Sequence, residues 1–388
     1  MKVLFLHNRY RYRGGEDTAV DAELRLLQEH GIGVEIFQRD NRDLDTRESV
    51  KLIWRTMWNR QVYRQVQDHI ASFRPDLVHL HNWFPQLSPA AVVAARRCGV
   101  PVVATLHNYR LLCANGLLFR DGQVCEACLG TALPWPAVRY QCYRNSRMAT
   151  VVAAGALAYH QRRETWTDSI AAFIALTEFA RRKFIVAGLP AEKIHVRANC
   201  VDVPAGVRPR RRGRYFLFAG RLSPEKGITT LLRAFDRFRS ELRIVGDGPD
   251  AGRVRAWCAD RPWIRYLGEK PRQQVVELMQ GARALIVPSH CYEGGIPMVL
   301  VEAMALAVPV VASRTGGLGE AVTCGENGLL FDPGDDGQLQ RHCRRLLDEP
   351  ALGQRLGEGA RAVFHRRYHR ERVFQQLIAV YQSVLDFS

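Results

Sequence analysis

Short apolar runs alternate along the chain with stretches in which apolar positions recur every three or four residues, the pattern of buried strands covered by helices. The first run, Lys2 to His7, leads through Gly14 and Gly15 into a helix with Val20, Leu24 and Leu27 at helical spacing and Gly31 as its stop. Further strands are predicted at 33–37, 76–81, 101–107 and 173–177, with a small-residue helix from Met148 to about Arg163 before the last. A short helix stopped by Gly188 and an edge strand through "KIHVRANCVDVP" follow. The opening then recurs: "YFLFAG" from Tyr215, the turn "RLSPEKG", and the helix "ITTLLRAFDRF". Between the two openings, 204–214 is rich in Pro, Gly and Arg and aperiodic, as an exposed linker would be. Two similar α/β domains are therefore expected.

The second half is organised around Val287 to Val322, where an apolar strand, the helical segment Pro297 to Leu306 and the strand "VPVVAS" form a βαβ unit. Its loops lie at the carboxyl ends of strands, where open parallel sheets bind ligands. Glu293 sits in the first loop. Glu302 is the only charge in the 19 residues from Gly294 to Ala312, so it needs a polar partner, for which a sugar hydroxyl or a ribose diol would serve. "LRIVGDGP" and "IRYLGEK" bring Gly246, Gly248 and Gly268 to the same edge, and residues 338–388 read as helical.

Composition narrows the picture. The 388 residues are 47% hydrophobic and 24% charged, which fits an ordinary globular chain of two domains. No apolar stretch is long and uncharged enough to span a bilayer, and "MKVLFLHNRY" reads as a strand rather than a signal peptide, so a cytoplasmic protein is expected. The formal charge of +16 favours anionic partners. No nucleic-acid-binding signature is present, so nucleic acid is not expected. Residues 48–64 place Val50, Trp54, Met57 and Trp58 on one stripe with Lys51, Arg55, Arg60 and Arg64 interleaved. Such a helix either lies on an anionic membrane or packs on its own domain.

Several residues carry candidate chemistry. Gly14 and Gly15, between a strand and a helix amino terminus, suit an anion or are plain turn glycines, and they lack the spacing of a dinucleotide fingerprint. His81 and His107 end successive strands and, with Asn108, are expected to line a cleft. Arg221 and Lys226 flank the turn after Gly220, beside a helix amino terminus, and make the best diphosphate site in the chain. Cys125 and Cys128 form a Cys-x2-Cys pair with Cys113 and Cys142 on either side, a spacing that suits structural zinc, with a redox pair or unligated thiols as alternatives.

The segments "GGEDTAVDAELRLL", "DLVHLHN", "TLHNYR", "TEFARRKFIVAGLPAEKIHVRANCVD", "FAGRLSPEKGITTLLRAF", "VGDGP", "YLGEK", "VPSHCYEGGIPMVLVEAMALAVPVVAS" and "GGLGEAV", in this order, resemble the family-four retaining glycosyltransferases over nearly the full length. The resemblance implies an α/β GT-B fold of two facing Rossmann-like domains with a cleft between them. Domains of 1–205 and 206–368 are expected, with a Cys-rich insertion at about 110–145 and a terminal helix, 369–388, crossing back to the first domain. It implies transfer of a sugar from a nucleoside diphosphate sugar with retention and without a catalytic metal. Arg221 and Lys226 would hold the diphosphate, Glu302 the ribose, and Gly220, Gly246, Gly248, Gly294, Gly295 and Ile296 would line the donor site. Glu293 would approach the sugar, His107 would contact it near the reacting carbon, and Gly14 and Gly15 would let the first domain close on the phosphates. Glu293 and Glu302 have eight residues between them where the family has seven, so Glu293 must reach its site through a longer loop. His81 and Asn108 would lie on the acceptor side, and the cysteine insertion, which is not general in the family, is expected to shape the acceptor site.

The function expected is transfer from a UDP- or GDP-linked sugar to a lipid-linked or saccharide acceptor at the inner membrane face. A phosphorylase or sucrose-phosphate-type enzyme and a non-catalytic binding module of the same fold are the rival readings.

Overall fold

The computed structural model describes residues 1–11, 14–43, 54–201 and 213–386. Val50 and Lys51 of the aromatic stripe, residues 204–212 of the expected linker and the expected boundary at 205/206 lie outside them. The chain divides into two compact units.

The first unit holds a parallel sheet of β1 (Lys2–Arg9), β2 (Gly33–Asp40), β3 (Leu77–Asn82) and β4 (Val102–Leu106), continued by β7 (Ala172–Ala175) and β8 (Ile194–Val196). A short antiparallel hairpin, β5 (Phe119–Arg120) with β6 (Gln123–Val124), interrupts the sequence and groups with the second unit. The strand order is β2-β1-β3-β4-β7-β8. Strands β3, β4 and β7 are buried at every position, which explains their nearly unbroken apolar runs. The helix Gly15–Glu29 buries Val20, Leu26 and Leu27 against Val3 and Phe5. The terminal helix Arg370–Asp386 adds Val373, Leu377, Val380 and Tyr381 to that core, placing the end of the chain in the first unit. Burying each such large side chain is worth about 1.5–3 kcal/mol.

The second unit contains β9 (Phe216–Ala219), β10 (Leu242–Val245), β11 (Ile264–Tyr266), β12 (Ala284–Val287), β13 (Val310–Ser313) and β14 (Leu329–Phe331). All pairings are parallel, in the order β11-β10-β9-β12-β13-β14. Counted within the unit this is 3-2-1-4-5-6, the doubly wound order, whose direction reverses between its first and fourth strands. Those strands are β9 and β12, so the loops that follow them flank the switch point. The helix Ile228–Phe238 buries Leu231, Leu232 and Phe235 in the core beside Phe216 and Ile286.

Candidate active site

The loop after β9 is built to meet the loop after β12. Gly227 ends a short turn, Pro224–Lys226, in the left-handed region at φ 71° and starts the helix Ile228–Phe238. A Cβ there would stand 1.8 Å from the Pro288 carbonyl oxygen, so only glycine permits this approach. His290 N–H donates to the Glu225 carbonyl at 2.8 Å, and the His290 ring bonds Thr230 Oγ1 at 2.8 Å. With the loops so fastened, Lys226 Nζ donates to both carboxylate oxygens of Glu293 at 2.7 Å, and Ser289 Oγ donates to Glu293 Oε1 at 2.6 Å. Burial works against the Lys226 charge, but the Glu293 carboxylate outweighs it and holds the ammonium pKa above its ordinary value. Arg221 is exposed in the same β9 loop. The two residues assigned separately to diphosphate and sugar thus form one ion pair above the switch point.

Glu302 lies in the helix Met298–Ala305 and is buried, as its isolation among apolar residues requires. Its partner is Arg272, whose Nε donates to Glu302 Oε1 at 3.0 Å from the first turn of the helix Arg272–Gly281. The sequence reading supplied only a ligand for this carboxylate. Arg272 escaped it because it is one exposed-looking arginine among many, with no local signal linking it to residue 302. Gly294 and Gly295 lie in the loop before this helix, and Ile296 is buried there.

The glycines at the other strand ends have a second, internal purpose. Gly246 has φ 136°, and a Cβ there would lie 1.9 Å from the Gly220 carbonyl oxygen. Leu222 N–H donates to the Asp247 carbonyl and Asp250 N–H to the Leu222 carbonyl, both at 2.9 Å, with Gly248 inside the same contact. Gly246 and Gly248, expected with Gly220 in the donor site, therefore serve at least to let neighbouring strand-end loops touch, whereas a Cβ at Gly220 would meet only Phe218 at 3.8 Å.

In the first unit, Gly14 caps the helix Gly15–Glu29 with φ −127°, and a Cβ at Gly14 would meet nothing within 4 Å. The fold itself does not demand glycine there. Asp17 Oδ2 accepts from the Gly14 N–H at 3.1 Å and Asp17 Oδ1 faces His7 Nε2 at 2.9 Å, so Asp17 is engaged in capping. Glu16 accepts from Tyr10 Oη at 2.9 Å and Asn108 Nδ2 at 3.2 Å, and burial raises its carboxyl to about 7 despite the lowering effect of His7. Asn108 also accepts from the Arg110 N–H at 2.9 Å. It binds its own loop together.

His81 and His107 do meet, with His81 Nδ1 and His107 Nε2 3.1 Å apart and their rings stacked. They border a small cavity of about 30 Å³ shared with Trp83, Asn108 and Trp166. His81 is buried, with Nε2 facing Glu23 Oε1 at 3.7 Å, so it supports His107 from below and does not line an open cleft. Burial is the main cause that brings the His107 pKa down to about 3, against the raising effect of Glu23 and with smaller lowering effects from His7, Arg197 and His79. Behind them, Glu23 is bound by the buried Arg197 and lies 3.2 Å from His79 Nδ1, while His79 also bonds Tyr381 Oη and Thr105 Oγ1. Burial would raise Glu23, but Arg197 and His79 prevail and hold it at about 2. Among the described residues Glu23, His79 and His81 are the group whose ligand atoms come within metal spacing. Arg197 on the same carboxylate and the protein bonds of His79 fill those ligand positions. Sequence reasoning missed Glu23 and Arg197, which are 174 residues apart.

Cys128 and Cys142 pack on Ala114, Ala137 and Ala153, and Cys113 and Cys125 are close enough to act electrostatically on Cys128. None of the four is joined in a disulfide. Burial raises the Cys128 thiol to about 11. The donor set suits zinc, although no three of these sulfurs stand within 4.8 Å of one another, so an ion binding there would have to draw them together.

The family model described as Glycosyltransferase Family 4 matches residues 13–204, and that described as Glycosyl transferases group 1 matches residues 206–363. A D-inositol 3-phosphate glycosyltransferase of Acidothermus cellulolyticus is 31% identical over 345 residues, covering 80% of this chain and 67% of the relative. The chain is a family-four glycosyltransferase. A glycogen synthase of Mycobacterium tuberculosis is 29% identical over 310 residues, 75% of this glycosyltransferase and 64% of that protein. The chain thus spans about two thirds of these relatives' lengths. Among solved structures, sucrose-phosphate synthase from Thermosynechococcus elongatus matches with a TM-score of 0.70 at 18% identity, covering all of both chains. Anabaena HepE in complex with UDP-glucose matches with a TM-score of 0.65 at 19% identity, covering 99% of this chain and 100% of that one. These structures establish the GT-B fold.

Proposed function

We propose that this glycosyltransferase moves a sugar, with retention, from a UDP- or GDP-linked donor to a lipid-linked or growing saccharide acceptor presented at a membrane face. The observation that carries the donor half is the Lys226–Glu293 pair above the switch point of the second sheet. A nucleoside diphosphate leaving group gathers negative charge in the transition state, and a fixed ammonium beside a helix amino terminus stabilises it. In the resting chain Glu293 keeps Lys226 charged and in place. The arriving diphosphate would take over that ammonium, with Arg221 as a second cation, and free Glu293 for the sugar hydroxyls. Glu302, steadied by Arg272, would take the ribose hydroxyls. A neutral His107 can give or accept one hydrogen bond at the sugar without opposing its developing positive charge. The acceptor hydroxyl would attack beside the departing phosphate, which takes its proton. Asp17 and His81, engaged within the first unit, are left out of that step.

The matched HepE structures hold UDP, UDP with glucose, or UDP-glucose, which makes UDP-glucose the first donor to test. Incubation with a UDP- and GDP-sugar panel and a lipid-linked acceptor should release nucleoside diphosphate and yield an α-configured product from an α-linked donor. An inverted product would refute retention. Absence of nucleoside diphosphate with every donor, despite tight donor binding, would support the binding-module reading. Zinc in the four-cysteine insertion belongs to the proposal as a staple for a segment with little core of its own. One zinc per chain in purified protein is expected, whereas zinc-free, folded protein with four reactive thiols would remove it.

A further inference from the structure

The cysteine insertion and the segment before Asn59 build a surface that the transfer chemistry leaves unused. Residues 54–57 are helical, and the Trp58 N–H donates to the Trp54 carbonyl at 2.9 Å. Trp54 is 70% exposed, unusual for so large an apolar side chain. Trp54, Met57 and Trp58 share the lining of an open cavity of about 660 Å³ with Tyr159 and with Arg55 and Arg60. Tyr159 belongs to the helix Arg147–Arg162, which His160 pins to the Trp54 segment through Nε2 and the Met57 carbonyl at 3.0 Å.

That helix has two apolar faces. Ala153, Ala154, Leu157 and Ala158 are buried. Met148, Val151 and Tyr159, which fall on one side at helical spacing, are exposed, Met148 by 69%. The short helix Trp135–Arg139 packs on the same helix through Ala137 and Ala153 and adds exposed Trp135 and Tyr140. A helix apolar on both faces is covered on both.

The charge of the region says by what. From Ala127 to Arg163 there is no Asp or Glu, while Arg139, Arg144, Arg147, Arg162 and Arg163 are all exposed. Residues 54–67 also lack acidic groups and carry exposed Arg55, Arg60 and Arg64. Arg139 lies over the Tyr140 ring at 5.6 Å and Arg163 over the Tyr159 ring at 5.8 Å. Cationic heads thus sit beside amphipathic rings and exposed methionine, the composition that places rings at the headgroup level and guanidinium groups on phosphates.

We infer that Trp54, Trp58, Trp135, Met148 and Tyr159, ringed by these arginines, dock the first unit on an anionic lipid surface. The inference deepens the membrane-face reading of the acceptor and rests on it. Interfacial rings, and not a spanning helix, would hold the protein there, and no described helix is long and apolar enough to cross a membrane.

Sedimentation of the full chain with vesicles of phosphatidylcholine, with and without phosphatidylglycerol, tests this. Binding is expected to the anionic vesicles only and to weaken as salt is raised. The triple substitution Trp54→Ala, Trp135→Ala and Tyr159→Ala should weaken partitioning at least about tenfold. Arg162→Glu with Arg163→Glu should weaken it and flatten its salt dependence. Every position is exposed, and an unchanged circular dichroism spectrum and Tm would verify folding. Absence of vesicle binding by the natural chain, or equal binding by both variants, would overturn the inference. A concentration-dependent dimer abolished by the triple substitution would overturn it too, by assigning the surface to a second copy. Transfer to a water-soluble acceptor is expected to survive in both variants, so loss of docking is read separately from failure of the transferase reading.

Discussion

The two sheets put different chemistry at their switch points. In the second, between β9 and β12, Lys226 and Glu293 keep 27% and 12% of their side chains exposed. In the first, where the order reverses between β1 and β3, Asn82 Nδ2 donates to the Asn8 carbonyl at 2.8 Å and Gln86 N–H donates to Asn8 Oδ1 at 3.1 Å. Both asparagines are buried. One switch point holds an accessible charge pair that an anion can rearrange, and the other is closed by neutral hydrogen bonds. The same α/β frame therefore leaves one unit a partly exposed charge pair, which the proposed function assigns to the donor anion, while the first unit brings its strand-end histidines together instead.

The sharpest way to break this contrast is Lys226→Ala. It should lower turnover more than about tenfold by removing charge stabilisation from the departing diphosphate, whereas Asn8→Ala should act mainly on stability. Steady-state kinetics beside thermal melts separates the two effects, and near-natural turnover in Lys226→Ala would end the assignment. A glycine pair tests the contrast by backbone. Gly246→Ala drives a Cβ against the Gly220 carbonyl and should cost roughly 1–3 kcal/mol or more of stability. Gly14→Ala meets open space at a permitted φ, so it should leave the melt unchanged and lower turnover only if phosphate approaches that amide.

How far these sites were legible depends on how local their signals are. The strands, the repeated strand-turn-helix opening, Lys226 and Glu293 could be located because each lies within a short motif whose pattern fixes its loop. The isolation of Glu302 among apolar residues foretold a buried carboxylate needing a partner. Arg272, 30 residues away on another helix, left no mark that distinguished it from the other basic residues. Glu23 and Arg197 were invisible for the same reason, since only the stacking of sheet and helices brings them together. The backbone role of the glycine-rich turns was not legible, because a sequence shows glycine without showing whether backbone or ligand needs the space.

Arg272→Ala should therefore expose a smaller effect. Glu302 loses its cation, at an expected cost of about 1–2 kcal/mol because Arg272 is partly solvent-screened. A raised KM for donor with little change in kcat should accompany it. The histidines give the smallest and most selective effect. His107 is held at about 3 against an ordinary value of 6.5, so between those values the unfolded chain binds a proton that the folded chain refuses. Stability must fall as pH drops through that window. Glu16, raised to about 7 by burial, pulls the opposite way and is retained when His107 is replaced. His107→Gln should then lose less stability than the natural chain between about pH 7 and about pH 5, measured by denaturant titration at each pH.

The most direct test is calorimetric titration of the natural chain and Lys226→Ala with UDP-glucose and then with the other UDP- and GDP-sugars. The account predicts that one donor binds the natural chain and that its affinity falls more than about tenfold in the variant. Equal affinity in the two chains for the donor that binds would contradict it.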